Sequence, residues 1–426
     1  MSEESTGSDH AAGAPASDPR PFVVAGAILG LTWAAALRGW MIHLAGDETG
    51  FHWFGTFGLV LVPGLLVGAL LGLAEHRRRT GGTRRLWLVL APCLFLAALA
   101  DPTIFRQLIT QGIGGGAIGV VLFGLAGGYA LSGRGRAWWR RTCGVFAVIG
   151  VLFMMVLASD NAPLETAHGL WIGLYASSLL ALLCLACAIP QRIGRPELVP
   201  ARWLALAVGA LAGFVWAAAL RAFMWEVAGD EAGADLAGTF AWVLLPGLAI
   251  GALLGWAEHA RWSGPIPARR WLIWTPMIFV AVLLQDPLDL LSGFEGGIGL
   301  AAVAVPAICM LGGYAIGGRG PLWVRGVCGL VLLSSIPIWS LTATDVGGSS
   351  LSLMSPHGAW AALLYWGLLA TFSMAAAIPH QAPVVTDRTL ASSRQHEQPA
   401  DDAAPIGSGR PTDGMPRPTE RTSDWP

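Results

Sequence analysis

The chain alternates long apolar stretches with short polar breaks. Runs such as Phe57 to Ala74 and Cys143 to Ala158 carry no charge at all. Windows of about 17–25 such residues match the hydrocarbon core of a bilayer. Six spans are predicted at roughly 22–44, 57–75, 86–100, 113–131, 143–158 and 168–188. Six more are predicted at roughly 203–227, 240–257, 271–285, 297–317, 327–343 and 358–378.

The second six copy the first. Trp33-Ala-Ala-Ala-Leu-Arg38 recurs as Trp216-Ala-Ala-Ala-Leu-Arg221, and Gly55-Thr-Phe57 recurs as Gly238-Thr-Phe240. Gly68-Ala-Leu-Leu-Gly72, followed by Ala74-Glu-His76, recurs as Gly251-Ala-Leu-Leu-Gly255, followed by Ala257-Glu-His259. Further matches run through Asp101-Pro102 with Asp286-Pro287, Gly127-Gly-Tyr129 with Gly312-Gly-Tyr314, and His168-Gly169 with His357-Gly358. An even number of spans per copy makes both copies run the same way through the membrane. Parallel copies of this kind are related by an axis along the membrane normal. The expectation is therefore an all-α polytopic membrane protein of twelve transmembrane helices, built as two parallel six-helix repeats about a pseudo-twofold axis. The repeats cover 21–192 and 193–379. Tails at 1–20 and 380–426 are rich in Ser, Pro, Asp and Arg and lack the apolar content for a core, so they read as disordered.

Charge sets the orientation. The loops after spans 2, 4, 6, 8 and 10 hold seventeen Arg residues, and those after the odd-numbered spans hold only Arg106. Basic residues in short loops stay on the cytoplasmic side, which puts both termini in the cytoplasm of a cell (plasma) membrane protein. Asp47, Asp101, Asp230 and Asp286 then belong to the outer side. The first residues lack the basic start and apolar stretch of a cleavable signal, so the first span is expected to target the chain. Trp residues at predicted membrane edges, among them Trp40, Trp87, Trp138, Trp203, Trp271 and Trp323, form an aromatic belt.

Composition excludes several chemistries. All 26 basic residues are Arg, and without a Lys amine no Schiff base to retinal or pyridoxal can form. A net charge of −1 speaks against a nucleic-acid partner. The six cysteines lie in or beside spans, and Cys184-x-x-Cys187 sits in an apolar helix, where packing explains it better than redox or metal chemistry. No cofactor and no metal are implied. The partners expected are the lipid bilayer and a small-molecule or ion substrate; oligomeric state is not legible.

Arg38 and Arg221 are the only Arg residues within predicted spans, in the outer third of spans 1 and 7. Gly26, Gly30, Trp33, Leu37, Arg38, Met41 and Ala45 are matched between the copies at spacings of three and four, which places them on one helix stripe. A charge within a span is costly and marks a functional site or a structural ion pair. At a similar depth stand Asp47, Asp101 and His168, with Asp230, Asp286 and His357 as their copies. Arg can hold an anion there and His can titrate. His43, matched by Glu226, is the clearest polar difference between the copies. Gly64, Gly68 and Gly72, with Gly247, Gly251 and Gly255, lie four apart on one face and read as helix-packing seams. Glu75 and Glu258 are expected to pair with adjacent Arg residues.

Gly72-Leu-Ala-Glu-His-Arg-Arg-Arg and Gly255-Trp-Ala-Glu-His-Ala-Arg fall after spans 2 and 8. They resemble the loop motif of the major facilitator transporters at the same places, over fewer than ten residues per half, without the Asp-Arg-x-Gly-Arg core. Six plus six parallel helices with cytoplasmic ends is also that family's plan. The leading functional reading is a secondary transporter of a small molecule or ion with its site between the repeats. The alternatives are a membrane-embedded enzyme acting on a lipid or isoprenoid, and a non-catalytic assembly factor. A cavity between the repeats separates the first two from the third.

Overall fold

The computed structural model describes residues 18–45, 50–102, 106, 115–159, 162–194, 201–229, 235–263, 269–284 and 298–381. Among the described residues the regular elements are all helical. They are α1 (Arg20–Ala45), α2 (Val62–Arg79), α3 (Leu86–Val89), α4 (Gly115–Ser132), α5 (Ala137–Ser159) and α6 (Ala167–Ala188), then α7 (Arg202–Ala228), α8 (Leu245–Ser263), α9 (Arg269–Leu272), α10 (Ile298–Gly317), α11 (Leu322–Gly347) and α12 (Pro356–Ala376).

Eight helical stretches are long and apolar enough to cross a membrane: Arg20–Leu44, Trp53–Arg79, Ala137–Ser159, Ala167–Arg192, Arg202–Ala228, Ala237–Ser263, Leu322–Asp345 and Pro356–His380. Their outward faces fit lipid. Val145, Val148, Leu152 and Val156 on α5, and Leu330, Leu333, Ile338 and Leu341 on α11, are all more than half exposed. A soluble protein does not leave such contiguous apolar patches bare. The chain is thus a helical, multi-pass membrane protein.

Among the described residues, expected spans 4 and 10 correspond to α4 and α10, and spans 3 and 9 hold the ten-residue helices Ala91–Ala100 and Thr275–Leu284. The expected spans 86–100 and 271–285 are not continuous α-helices. Each is a single α turn, α3 or α9, followed by a 3₁₀ helix, Ala91–Ala100 or Thr275–Leu284. Pro92 and Pro276 stand at the change, where a residue without an N–H cannot extend an i to i−4 ladder. The 3₁₀ form rises about 2.0 Å per residue against about 1.5 Å in an α-helix, so a ten-residue stretch reaches further than its length suggests. Spans 2 and 8 begin earlier than expected, with π-helical stretches Trp53–Leu61 and Ala237–Leu244. The Val62 N–H bonds back to the Phe57 carbonyl and the Leu245 N–H to the Phe240 carbonyl, and Pro63 and Pro246 follow at once. Span 5 also starts earlier, so Arg140 and Arg141, expected in a loop, lie in α5.

α1 and α2 run antiparallel in direct backbone contact. A Cβ on Gly26 would meet the Gly68 carbonyl, and one on Gly30 would meet the Gly64 carbonyl. α7 and α8 meet the same way, Gly209 against Gly251 and Gly213 against Gly247. α1 also lies against α12, and α7 against α6. The core sits along these four helices, where Trp171, Tyr175 and Trp360 are fully buried.

The starts of α6 and α12 are fixed alike. Thr166 and Ser355 precede them in extended backbone, and their hydroxyls accept from the Gly169 and Gly358 N–H at 3.0 and 2.9 Å. Losing such a cap costs about 1 kcal/mol. Thr166→Ala and Ser355→Ala should each lower the melting temperature of the detergent-solubilised protein by a small, measurable amount, and the double variant should add the two. No change in either would mean that these helices begin elsewhere.

The Arg-rich end is held by guanidinium groups on helix-terminal carbonyls. Arg140 Nε donates to the Ala130 carbonyl at 3.3 Å and Arg325 Nε to that of Ala315 at 3.1 Å, closing the C-termini of α4 and α10. Glu75 bonds Arg78 and Arg79 at 2.6–2.7 Å, and Glu258 bonds Arg261 and Trp262. The cysteines are free. Cys184 and Cys187 face Gly127 and Gly128 of α4 as packing groups.

Candidate functional site between the two helix sets

Arg38 and Arg221 are both buried, 6% and 3% exposed. Arg38 Nε donates to Thr56 Oγ1 at 3.3 Å, and its Nη2 donates to the Gly50 carbonyl at 3.2 Å. Arg221 Nε donates to Thr239 Oγ1, also at 3.3 Å. Thr56 and Thr239 come from the π-helical stretches that open spans 2 and 8, and each is 1% exposed. The wider π turn thus supplies a buried hydroxyl to each buried cation.

Both guanidiniums also lie over aromatic rings, an arrangement that offsets part of a cation's desolvation. Arg38 lies 4.9 Å from the Phe51 ring centroid. Phe51 in turn stacks on His357 at 4.5 Å and packs on Trp360 at 5.0 Å. Arg221 lies 5.7 Å from both Trp171 and Trp225. Trp171 and Trp360 occupy matching places on α6 and α12, so each Arg reaches the aromatic residue on the other half's last helix, Arg221 directly and Arg38 through Phe51.

The histidines join the same layer. His43 lies 5.7 Å from His168, ring to ring, and both pack on Trp171 and Trp225. At the matching places in the other half, Glu226 Oε2 lies 2.9 Å from His357 Nε2. One half therefore holds an imidazole pair where the other holds a carboxylate–imidazole pair. Asp101 follows the 3₁₀ helix Ala91–Ala100 as its C-terminal residue. Asp47, Asp230 and Asp286 lie outside the described residues.

Below this layer, toward the Arg-rich end, lies a cavity of about 500 Å³. Leu29, Thr32 and Trp33 of α1, Trp216 of α7, and Thr371 and Phe372 of α12 are among the residues around it. Arg192 and Glu258 line it at the Arg-rich end, the exposed Leu29 and Val208 line it midway, and Ala36 and Ala219 line it two residues short of the two buried arginines. Along α6 the order is His168, Trp171, Tyr175, then the cavity residue Leu182. Along α12 it is His357, Trp360, Leu364, then Leu368. The aromatic residues thus stand between the cavity and the polar layer. Trp360 Nε1 donates to the Ala35 carbonyl at 3.0 Å and Tyr175 Oη to that of Ala36 at 2.7 Å, which pins this plug to α1.

No known family model, curated protein or solved structure matches the chain. The reading of the site therefore rests on its own chemistry.

Sequence reasoning pointed to the arginines and histidines but not to their partners. Thr56 and Thr239 sit in the matched Gly-Thr-Phe triplets, which carried a signal that hydropathy alone leaves unused. Trp171 and Trp360 are matched as well. Phe51 has Ala234 at its matching position, so its stacking with His357 leaves no trace in the repeat.

Proposed function

We propose that the chain is a twelve-span transporter of the cell membrane, with both termini and the Arg-rich end in the cytoplasm. Its two parallel halves bind a small-molecule or ion substrate between them. The observation that carries this reading is the cavity: it lies between helices of both halves, is partly open, and ends toward the aromatic plug. Beyond the plug stands a layer of buried Arg and half-buried His and Glu side chains from both halves. A cavity accessible from one side, with a closed polar layer on the other, suits one of the two states of a carrier whose halves rock about a central site. A tightly packed assembly factor has no use for it. An enzyme would need its reactive side chains in the chamber, whereas the histidines lie on the far side of the plug.

Thr371 lines the chamber and is partly exposed. In a cysteine-free background, Thr371→Cys should react with a membrane-impermeant thiol reagent in inside-out vesicles, where the cytoplasmic side faces the reagent. Complete protection in vesicles of both orientations would remove the chamber, and with it this reading. Rapid reaction in right-side-out vesicles alone would reverse the orientation.

A further inference from the structure

The walls of the chamber say what kind of molecule it holds. Six of its lining residues have polar side chains: Thr32, Trp33, Arg192, Trp216, Glu258 and Thr371. Each of the six already makes a hydrogen bond within the protein. Thr32 Oγ1 donates to the Ile28 carbonyl at 2.8 Å, and Thr371 Oγ1 to that of Gly367 at 2.8 Å. Trp33 Nε1 donates to the Leu179 carbonyl at 3.1 Å and Trp216 Nε1 to that of Leu368 at 2.9 Å. Arg192 Nη2 donates to the Leu131 carbonyl at 2.7 Å, and Glu258 accepts from Arg261 and Trp262. The remaining lining is Gly, Ala, Val, Leu, Ile and Phe.

A hydrophilic solute in this chamber would surrender its hydration and find almost no partner in return, an unfavourable exchange. A hydrocarbon body gains from the same walls, because they exclude water and offer close apolar contact. The volume falls within the roughly 300–1,000 Å³ usual for a small-molecule site. The two charged residues of the lining, Arg192 and Glu258, both lie at the Arg-rich end of the helices, where lipid head groups lie.

We propose that the chamber binds the hydrocarbon chain of an amphipathic molecule, with its polar head toward the Arg-rich end that carries Arg192 and Glu258. This deepens the transporter reading and rests on it for the role of the chamber, while its own content is the chemistry of the ligand. Thiol labelling of Thr371→Cys reports access alone, and the experiment below reports ligand class, so failure of one is distinguishable from failure of the other.

The probe is a palmitic acid carrying a diazirine in its chain, photolysed with the full-length protein in lipid nanodiscs, with adducts mapped to peptides. Adducts should concentrate on 204–219 and 368–378. Unlabelled palmitate should compete for them, and succinate should not. Competition by geranylgeraniol as strong as that by palmitate would assign an isoprenoid chain, and weaker competition an acyl chain; both support the proposal. Ala212→Phe and Ala375→Phe add bulk to the lining from α7 and from α12 and should each cut this yield at least tenfold, at unchanged labelling of the lipid-facing α5. Phe279→Ala enlarges the chamber and should retain or raise the yield, which keeps the proposal testable if a filling variant fails to fold. Adducts confined to lipid-facing α5 and α11, yields in the filled variants equal to wild type, or equal competition by succinate would each overturn it.

Discussion

Gly68→Leu and Gly251→Leu are expected to abolish assembly of the bundle, each costing upward of about 3 kcal/mol, the top of the range for overpacked cores. A Cβ on Gly68 would stand 2.7 Å from Gly30 Cα, and one on Gly251 would stand 2.8 Å from Gly213 Cα. The obstacle in both cases is backbone, which cannot rotate aside as a side chain can. The two helices would have to separate along their length, and α1 and α7 would then lose their register against α12 and α6. Detergent-solubilised protein should be aggregated, or should melt far below wild type. Gly326 on α11 has nothing within 4 Å of its Cβ position, so Gly326→Leu should melt like wild type. Wild-type melting of Gly68→Leu and Gly251→Leu would mean that α1–α2 and α7–α8 do not touch through these glycines.

Trp360→Ala is the second large change. Trp360 is fully buried, its ring packs on Phe51, and its Nε1 is bonded to the Ala35 carbonyl. Truncating a buried Trp to Ala costs about 3–5 kcal/mol. Trp360→Phe keeps most of the ring and gives up the hydrogen bond, so it should cost only about 1 kcal/mol. The two variants should separate in function as well. The alanine variant opens a gap in the plug between chamber and polar layer, and Thr371→Cys should then label faster from the side opposite the Arg-rich end. The phenylalanine variant should keep the seal. Equal labelling in the two would mean that Trp360 closes nothing.

Legibility followed the range of the signal. Local patterns reach three or four residues, which was enough for the long apolar spans and for placing Arg38 and Arg221 on a matched stripe. They could not tell an α-helix from a 3₁₀ helix at Ala91–Ala100, because an all-apolar stretch has no face whose period would betray the difference. The π-helical openings at Trp53–Leu61 and Ala237–Leu244 were hidden for a related reason: Pro63 and Pro246 follow them, and a proline inside an apolar span is equally consistent with a simple kink. Pairings across the bundle were less legible still. Glu226 meets His357 and Trp360 meets Ala35 over separations that only the folded chain closes. The chamber's trace in the sequence is the Gly247, Gly251 and Gly255 seam, which lines it, and that spacing reads equally as a tight helix contact. Sequence showed a difference between His43 and Glu226, and the structure gave it a meaning by setting His168 and His357 beside them.

The central claim is that the two halves alternate, so that one chamber serves both sides of the membrane. Labelling of Thr371→Cys by an impermeant thiol reagent, applied separately to inside-out and right-side-out vesicles of otherwise wild-type, cysteine-free protein, tests it most directly. The account predicts fast reaction from the Arg-rich side and slower reaction from the other that still runs to completion, with the plug intact. Reaction that reaches completion from the Arg-rich side while the opposite side leaves the thiol unlabelled would contradict it, and would make the chamber a static binding site.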